Sequence, residues 1–326
     1  MSLNKIKFGC PRAPQDSRDK QFKSKVSLIE YPDIDLRDKC PPVRAQGNLG
    51  ACTSFGTTAL FNFVRMKNGL PEWLPSPLFT YYATREKYGE QNIDNGAYVR
   101  DALKSTVKQG VAMEREWPYV EKNFNIKPDD YIYNDAEKHQ TLEYQNISCF
   151  DKNAFLACLS EGYPFVFGMQ VYPSFMTSRK GIIPVPDKSK EAAVGGHCML
   201  CVGYRKDSES LIVQNSWDYW WGDNGYGYIP MEYFLSDAYD LWTIRNTEAP
   251  LGDVADKDVV IPVPVPVPVP VVVTDPVVPE PIPEPVVPAP APAPVVVVPE
   301  NKGSPKLRIV AAIVFALVSL FFIFSR

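Results

Sequence analysis

Histidine is scarce in this sequence: among 326 residues only His139 and His197 occur, so chemistry that needs an imidazole has two candidates. No cluster of lysines and arginines stands out and the net charge is −4, so we do not expect nucleic acid as a partner. The N-terminus also lacks the apolar core, about seven residues or more, of a secretory signal peptide. We therefore do not expect secretion by that route.

The seven cysteines do not form the dense pattern of a small disulfide-bonded module. They are an odd number spread over a large domain, so at least one thiol must stay unpaired within the chain. Their positions are Cys10, Cys40, Cys52, Cys149, Cys158, Cys198 and Cys201.

The order of periodic segments predicts an α+β domain with two lobes. Apolar residues first recur at helical spacing in CTSFGTTALFNFVRM, SPLFTYYATREKYG and AYVRDALKSTVKQG, each followed by a glycine stop. After a further helix, NAFLACLSEG, the strand-like runs PFVFGMQV, HCMLCVGY, LIVQNSW and YGYIP follow. Helices before strands, without regular βαβ alternation, favour this class. The predicted domain spans residues 33–250, and the polar residues 1–32 form an extension.

Residues 251–306 read as a stalk. Fifteen of the 32 prolines lie in a run of Val, Pro, Ala and Glu there, and such a run favours polyproline II as a semi-rigid spacer. Residues 307–325 are almost wholly apolar, near the lower limit of the ~20 residues of a transmembrane helix. Three basic residues, Lys302, Lys306 and Arg308, precede the apolar core of this segment at 309–324 and only Arg326 follows it, which predicts a tail anchor with the globular domain in the cytosol.

The stretch QGNLGACTSF delivers Cys52 to the first turn of the first predicted helix. A cysteine there is either a small buried apolar residue or a nucleophile. The thiolate is the reactive form, and a helix N-terminus together with an imidazolium lowers the pKa of a thiol. A nucleophile would also need a base, a group that orients the base and an oxyanion donor.

The best candidate for the base is His197, which enters a hydrophobic strand behind two glycines. Asn215 ends the next strand, so a hairpin of these strands would bring its amide beside the imidazole ring. An amide oxygen that accepts the ring N–H would fix its orientation, and Trp217 could shield that bond from water. His139, in a polar stretch, is predicted to be a solvated surface residue.

The motifs QGNLGACTSF, GGH and NSWDYWWGDNGYGY together resemble those of the papain-like cysteine peptidases, the cathepsin superfamily. The resemblance covers roughly residues 33–248 and is greatest to the branch with short pro-segments in microbes and large viruses. It implies a papain-like two-lobe fold, a helical lobe against a β-barrel-like lobe with a substrate cleft between them. It also implies hydrolysis of proteins or peptides without a metal or organic cofactor.

The resemblance implies a role for four residues. Cys52 would be the nucleophile, His197 its ion-pair partner and general acid/base, and Asn215 the residue that orients His197. The Gln46 side chain and the Cys52 backbone N–H would form the oxyanion hole.

Further residues are implied in substrate binding. Asn95 and Gly96, with Ala97, fall where the family pairs its backbone with extended substrate. Val194 and Gly195 would border the pocket for the second residue upstream of the cut and admit an apolar side chain, and Trp217 would line the same cleft. Apart from His139, the chain has no spare histidine to hold a C-terminal carboxylate, so we expect an endopeptidase.

Two positions and one segment depart from the family's pattern. Leu49 replaces the cysteine of a disulfide near the nucleophile, which suits a reducing compartment, and Thr53 replaces a tryptophan. Only residues 1–32 precede the domain, where relatives carry a longer inhibitory pro-segment. Either these residues plug the cleft or activity is limited by location and partners.

Three alternatives remain from the sequence. The domain could be an inactive papain-like binding module on a membrane stalk, or a structural membrane protein that displays the domain. Cys198 and Cys201 have the C-x-x-C spacing of redox and metal sites, but they would point to opposite faces of a strand, and zinc would want four ligands. Besides protein or peptide substrates, we expect a lipid bilayer as a partner. The membrane of a virion or viral factory is one candidate for this bilayer.

Overall fold

A computed structural model describes residues 6–24, 26 and 30–247 of the chain. The predicted stalk (251–306) and the predicted transmembrane helix (307–325) lie outside these residues. Within the described ranges, no helix combines the length and the apolar character needed to cross a bilayer.

The first half of the chain is helical, as predicted, and three of the helices end at the expected glycines. Gly69, Gly89 and Gly110 have φ of 78°, 70° and 76°, a left-handed conformation that glycine adopts without steric cost. The helices are α1 (Cys52–Lys67), α2 (Pro77–Glu86), α3 (Val99–Lys108), α4 (Asp130–Ala136), α5 (Lys152–Ser160), α6 (Pro173–Met176) and α7 (Met231–Asp237), with short 3-10 turns at Arg37–Lys39 and Glu121–Asn123.

The way each helix begins depends on local chemistry. Helix α2 starts with Pro77 after Ser76, whose hydroxyl accepts the Phe79 N–H at 3.1 Å. Helix α1 has no such cap, because Ala51 occupies the N-cap position. The first-turn N–H groups of α1, including that of Cys52, therefore receive no cap from a side chain at this position.

Among the residues that the structure describes, the second half of the chain and Ile34–Asp35 form a seven-stranded sheet in which all strand pairs are antiparallel. Its order is β2-β7-β3-β4-β5-β6, with β1 beside β4. The strands are β1 (Ile34–Asp35), β2 (Thr141–Ile147), β3 (Phe165–Val171), β4 (Gly195–Arg205), β5 (Ser210–Gln214), β6 (Tyr226–Pro230) and β7 (Ala238–Thr247). The fold is therefore α+β, a helical part with an antiparallel sheet, as the sequence predicts.

Three strands, β1, β2 and β7, were not predicted, and β1 is only two residues long. Strand β2 is mostly half-buried at an edge of the sheet, which weakens its hydrophobic pattern, and β7 follows directly on α7 without a turn. Both edges are covered by other segments: Phe22 N–H donates to Asn146 O of β2 at 2.7 Å, and Tyr228 N–H of β6 donates to Gly181 O at 2.7 Å. Covering an edge in this way protects it from pairing with another chain.

Helix α1 lies against the sheet and is buried along most of its length. Gly56 permits the close approach, because a Cβ at this position would lie 3.1 Å from Cys198 Sγ on β4. Phe61 and Val64 pack in the same core as Phe165 of β3. The helix that begins with Cys52 is thus fixed against the strand that carries His197.

Candidate active site

Cys52 is the first residue of α1 and is fully buried. Its thiol interacts with the backbone of Cys198, the residue after His197 on β4, and with the backbone of Gly9 and Thr53. The predicted nucleophile and the predicted base are therefore brought to the same place by the packing of α1 on β4.

His197 and Asn215 are joined as the sequence predicts. His197 Nε2 lies 2.7 Å from Asn215 Oδ1, because the β4–β5 hairpin pairs Leu200 with Gln214, the residue before Asn215. Trp217 stacks on the imidazole with ring centroids 4.7 Å apart and is itself buried. The other ring nitrogen, Nδ1, is buried and has no hydrogen-bond partner among the described residues.

Gln46 is held by contacts on both ends of its amide. Its Oε1 accepts the Ser216 hydroxyl at 2.7 Å, and its Nε2 donates to Leu49 O at 2.9 Å and to Lys7 O at 3.2 Å. The Tyr119 hydroxyl donates to the backbone carbonyl oxygen of Gln46 at 2.6 Å. The amide N–H groups thus have one orientation, which is determined by Ser216, a residue without a role predicted from the sequence.

The loop before Cys52 is held without a disulfide, since all seven cysteines are free. Asp94 Oδ1 accepts the Gly50 N–H at 2.9 Å and the Tyr81 hydroxyl at 2.6 Å, and the same hydroxyl accepts the Gly96 N–H at 3.1 Å. The buried Leu49 packs beside Tyr81. Polar and apolar contacts together tie this loop to residues 94–96.

Residues 6–14, here called the strap, lie across this site. The Phe8 ring packs edge-on against the rings of His197 and Trp217, with centroids 6.1 and 6.3 Å away. The peptide group that follows Gly9 is held on both sides: Gly9 O accepts the Ala97 N–H at 2.9 Å, and Cys10 N–H donates to Gly196 O at 3.1 Å. These contacts leave Cys52 and His197 fully buried.

The strap approaches its neighbours so closely that glycine is required. A Cβ on Gly96 would lie 2.2 Å from Gly9 O, and Gly96 has φ of 83°. A Cβ on Gly195 would lie 2.6 Å from the Cβ of Phe8. Gly96 and Gly195, two of the predicted substrate-binding residues, therefore face the strap.

The other predicted substrate-binding residues differ in their surroundings. Asn95 directs its side chain to Glu90, whose Oε2 accepts its N–H at 2.8 Å. Val194 is 44% exposed beside Gly195, and Trp217 lies beneath His197 and Phe8. Three of these five residues contact the strap: Gly96, Gly195 and Trp217. The other two, Asn95 and Val194, lie at the surface beside the strap.

Burial makes both reacting groups neutral under the strap. Desolvation, with a smaller effect of Cys10, raises the pKa of Cys52 to about 12, although backbone N–H groups oppose the shift. Desolvation lowers the pKa of His197 to about 4, against the opposing effect of Asn215. The sequence led us to expect a lowered thiol pKa. That expectation is wrong for the covered site, because the strap excludes the water that would solvate a thiolate.

No group of three or more His, Cys, Asp or Glu residues in the described ranges is arranged to hold a metal ion. Cys198 and Cys201 are both buried in β4. His139 is not the solvated residue that we predicted: its side chain is only 18% exposed, because its ring packs on Trp73 with centroids 5.0 Å apart.

Comparisons with known proteins agree with this geometry. A family model described as papain family cysteine protease matches residues 31–236. An uncharacterized peptidase C1-like protein of Acanthamoeba polyphaga mimivirus is 33% identical over 220 residues, which are 63% of this chain and 70% of that protein. Pro-cathepsin H of Bos taurus is 29% identical over 212 residues, 60% of this chain and 58% of the relative.

A solved structure is similar as well. Xylellain, a cysteine protease from Xylella fastidiosa, matches with a TM-score of 0.70 and 35% identity over 74% of this chain and 97% of its own. Because the family model matches more than half of the chain, the chain belongs to the papain family of cysteine proteases.

Proposed function

We propose that this cysteine peptidase cleaves internal peptide bonds through Cys52, His197, Asn215 and Gln46, and that the strap covers this site in the resting protein. The observation that carries the proposal is the position of Cys52 at the start of α1, beside the strand of His197, whose Nε2 is bonded to Asn215. His197 Nδ1 is then the nitrogen free to exchange a proton with the thiol.

The proposed reaction has two halves. The Cys52 proton passes to His197, and the thiolate attacks the carbonyl carbon of the substrate. His197 then returns the proton to the leaving nitrogen as the carbon–nitrogen bond breaks, which leaves a thioester on Cys52. In the second half, water gives a proton to His197 and attacks the thioester, and the acid product leaves as the thiol is restored.

Gln46 supports the proposal as an oxyanion donor. Its Nε2 already donates to a peptide carbonyl, that of Lys7, at 3.2 Å. Ser216 holds the other end of the amide, so the donor needs no reorganisation when negative charge develops on a substrate oxygen. The backbone N–H of Cys52, in the first turn of α1, is the proposed second donor.

Residues 6–14 are the proposed plug. Their backbone uses Ala97 N–H and Gly196 O, groups that an extended substrate could use instead. With a neutral thiol and a neutral imidazole, the site under the strap is in a resting state. Substrate must displace the strap before the ion pair of Cys52 and His197 can form.

A thiol-directed epoxide tests the chemistry. We expect it to modify Cys52 of the full chain in reducing buffer and to abolish cleavage of a peptide library. The Cys52→Ala variant should neither react at this position nor cleave, whereas Cys149→Ala should behave as wild type. A folded wild-type protein that neither reacts at Cys52 nor cleaves any peptide would favour the alternative, an inactive binding module.

For the rest of the chain we propose the organisation that its composition predicts: peptidase domain 33–250, stalk 251–306, and anchor 307–325 in a lipid bilayer with the domain in the cytosol. Carbonate extraction of membranes from expressing cells should leave the full chain in the pellet and release a chain cut before residue 251. External protease added to intact, sealed cell-derived vesicles should spare a lumenal domain and digest a cytosolic one, so protection would refute this topology.

A further inference from the structure

The strap carries one thiol, that of Cys10, and this thiol reaches the core of the domain. Cys10 is 2% exposed and packs in the same hydrophobic cluster as Cys52 and Cys198. Its backbone is held on both sides, because its N–H donates to Gly196 O at 3.1 Å and its carbonyl oxygen accepts the Tyr239 hydroxyl at 2.5 Å. The position of this side chain is therefore fixed whenever the strap is closed.

A glycine in the sheet makes room for the Cys10 sulfur beside Cys198. Gly168 of β3 pairs with Cys198 of β4, and residues opposite each other in an antiparallel pair have their Cβ positions on one face, roughly 5 Å apart. A Cβ on Gly168 would lie 2.9 Å from Cys10 Sγ. The sulfur thus fills the space that the glycine leaves next to Cys198, and a side-chain hydrogen bond joins the two thiols.

Cys52 also lies near Cys10, but it makes a different kind of contact. The hydrogen bonds of its thiol go to backbone groups of Gly9, Thr53 and Cys198, whereas the effect of Cys10 on it is electrostatic. The Cys10 thiol is instead hydrogen-bonded directly to the Cys198 thiol. The contacts therefore favour Cys10 and Cys198 as a pair and leave the nucleophile out of it.

We propose that Cys10 and Cys198 are a redox-sensitive pair: oxidation joins them in a disulfide that locks the strap over the active site, and reduction releases the strap. The inference rests on the proposed function of the strap as a plug. With the disulfide in place, Cys10 could no longer leave the sheet by breaking noncovalent contacts alone. The free thiols in this structure represent the reduced, unlocked form.

The oxidant that we assign to this step is a low-molecular-weight disulfide such as glutathione disulfide. Burial raises the pKa of both thiols, so the exchange begins only when the strap lifts and water reaches Cys10. Cys10 then loses its proton and attacks one sulfur of the reagent, whose sulfur–sulfur bond breaks to release one thiol. As the strap returns, deprotonated Cys198 attacks the Cys10 sulfur of the mixed disulfide and releases the second thiol. The two cysteines lose two electrons and two protons, and the reagent gains both.

The pairing is tested in the full chain with Cys52→Ala, so that the nucleophile can take no part. The protein is equilibrated in reducing and oxidising glutathione buffers, its free thiols are blocked, and its tryptic peptides are mapped without reductant. In oxidising buffer we expect peptide 8–12 linked to peptide 191–205, with fragmentation placing the bond on Cys198 rather than Cys201. Dithiothreitol should remove the link. An added Cys10→Ala substitution should abolish it, and an added Cys149→Ala should leave it unchanged.

The effect on the active site is tested in the wild-type chain with the thiol-directed epoxide. In oxidising buffer we expect Cys52 to react at least about tenfold more slowly than in reducing buffer, although it can still be alkylated once the chain is unfolded. In Cys10→Ala no lock forms, so Cys52 in the same oxidising buffer should either react at its rate in reducing buffer or carry a glutathione adduct. A Cys52 thiol that is free and yet protected is thus specific to the locked strap.

Two results would overturn the inference. One is an oxidised Cys52→Ala protein without a bond between Cys10 and Cys198, including one in which either cysteine pairs elsewhere. The other is a linked wild-type protein whose Cys52 reacts with the epoxide as fast as in the reduced chain. If the reduced wild type neither reacts nor cleaves, the proposed function fails, whereas the peptide map of Cys52→Ala still shows whether the pair forms.

Discussion

Asn215 Oδ1 lies 2.7 Å both from His197 Nε2 and from the Ser216 backbone N–H. One amide oxygen therefore joins the imidazole ring to the backbone of the loop that follows β5. The same loop carries the Ser216 hydroxyl that orients Gln46. The base and the oxyanion donor are positioned by two consecutive residues.

Replacement of Asn215 by alanine should reduce kcat about a hundredfold with little change in KM. The imidazole loses the acceptor that fixes its orientation, and a positioned acid/base is worth roughly 10²- to 10⁴-fold. Steady-state kinetics on one peptide substrate measure both constants, with the exposed Asn125→Ala as the control variant. An equal loss of kcat in Asn215→Ala and Asn125→Ala would contradict the orienting role. A change in KM without a change in kcat would contradict it as well.

Gln46→Ala should lower kcat by about 10²- to 10³-fold, the usual effect of removing one oxyanion donor. Ser216→Ala should cause a smaller loss, since the amide is still present but no longer held. Because the two residues act as one unit, the double variant should be no slower than Gln46→Ala. Losses that multiply in the double variant would show that Ser216 acts independently of Gln46.

Phe8→Ala should raise the initial activity of the full chain on a small peptide. The substitution removes the ring that packs on His197 and Trp217, so the strap is displaced more readily. Losing a packed phenylalanine costs about 3 kcal/mol or less here, because Phe8 is only half-buried. Phe150→Ala, at a residue that is 81% exposed, serves as the control. Equal activity of wild type and Phe8→Ala would argue against the strap as a plug.

The pH dependence of thiol alkylation should report the state of the strap. Burial raises the pKa of Cys52 to about 12, so the thiolate fraction in the resting chain, and with it the alkylation rate, should still be rising above pH 9. In Phe8→Ala, water reaches the thiol and the rate should level off at a lower pH.

Iodoacetamide labelling followed by mass spectrometry of the Cys52 peptide gives this profile. The half-buried Cys149, whose pKa burial also raises, should show the same profile in both proteins and is the internal control. Identical Cys52 profiles in wild type and Phe8→Ala would mean that the strap does not set the protonation of the nucleophile.

Local signals in the sequence were sufficient for much of the fold. Helical spacing and the glycine stops predict α1, α2 and α3, and the residues after Cys52 continue without a break into a buried helix. The polar edge strand β2 escaped prediction because its burial comes from neighbours that lie far away in sequence. The α+β class followed from the order of segments alone.

The residues of the candidate site also differ in whether the sequence predicts them. Cys52, His197, Asn215 and Gln46 could be picked out because each lies in a recognisable motif and because only two histidines exist. Ser216 could have been found from its place in the NSW motif, but its partner Gln46 is 170 residues away. No local pattern links such distant positions.

The sequence by itself determined which side chains are available for chemistry and which segments become helix or strand, because periodicity and turn residues act over a few positions. Only the tertiary structure decided which groups those side chains contact and how deeply they are buried. Lys7 reaches Asp94 across 87 residues, and the strap buries Cys52 so that its thiol is neutral. Both outcomes depend on desolvation and on contacts between distant segments, which exist only once the chain has packed.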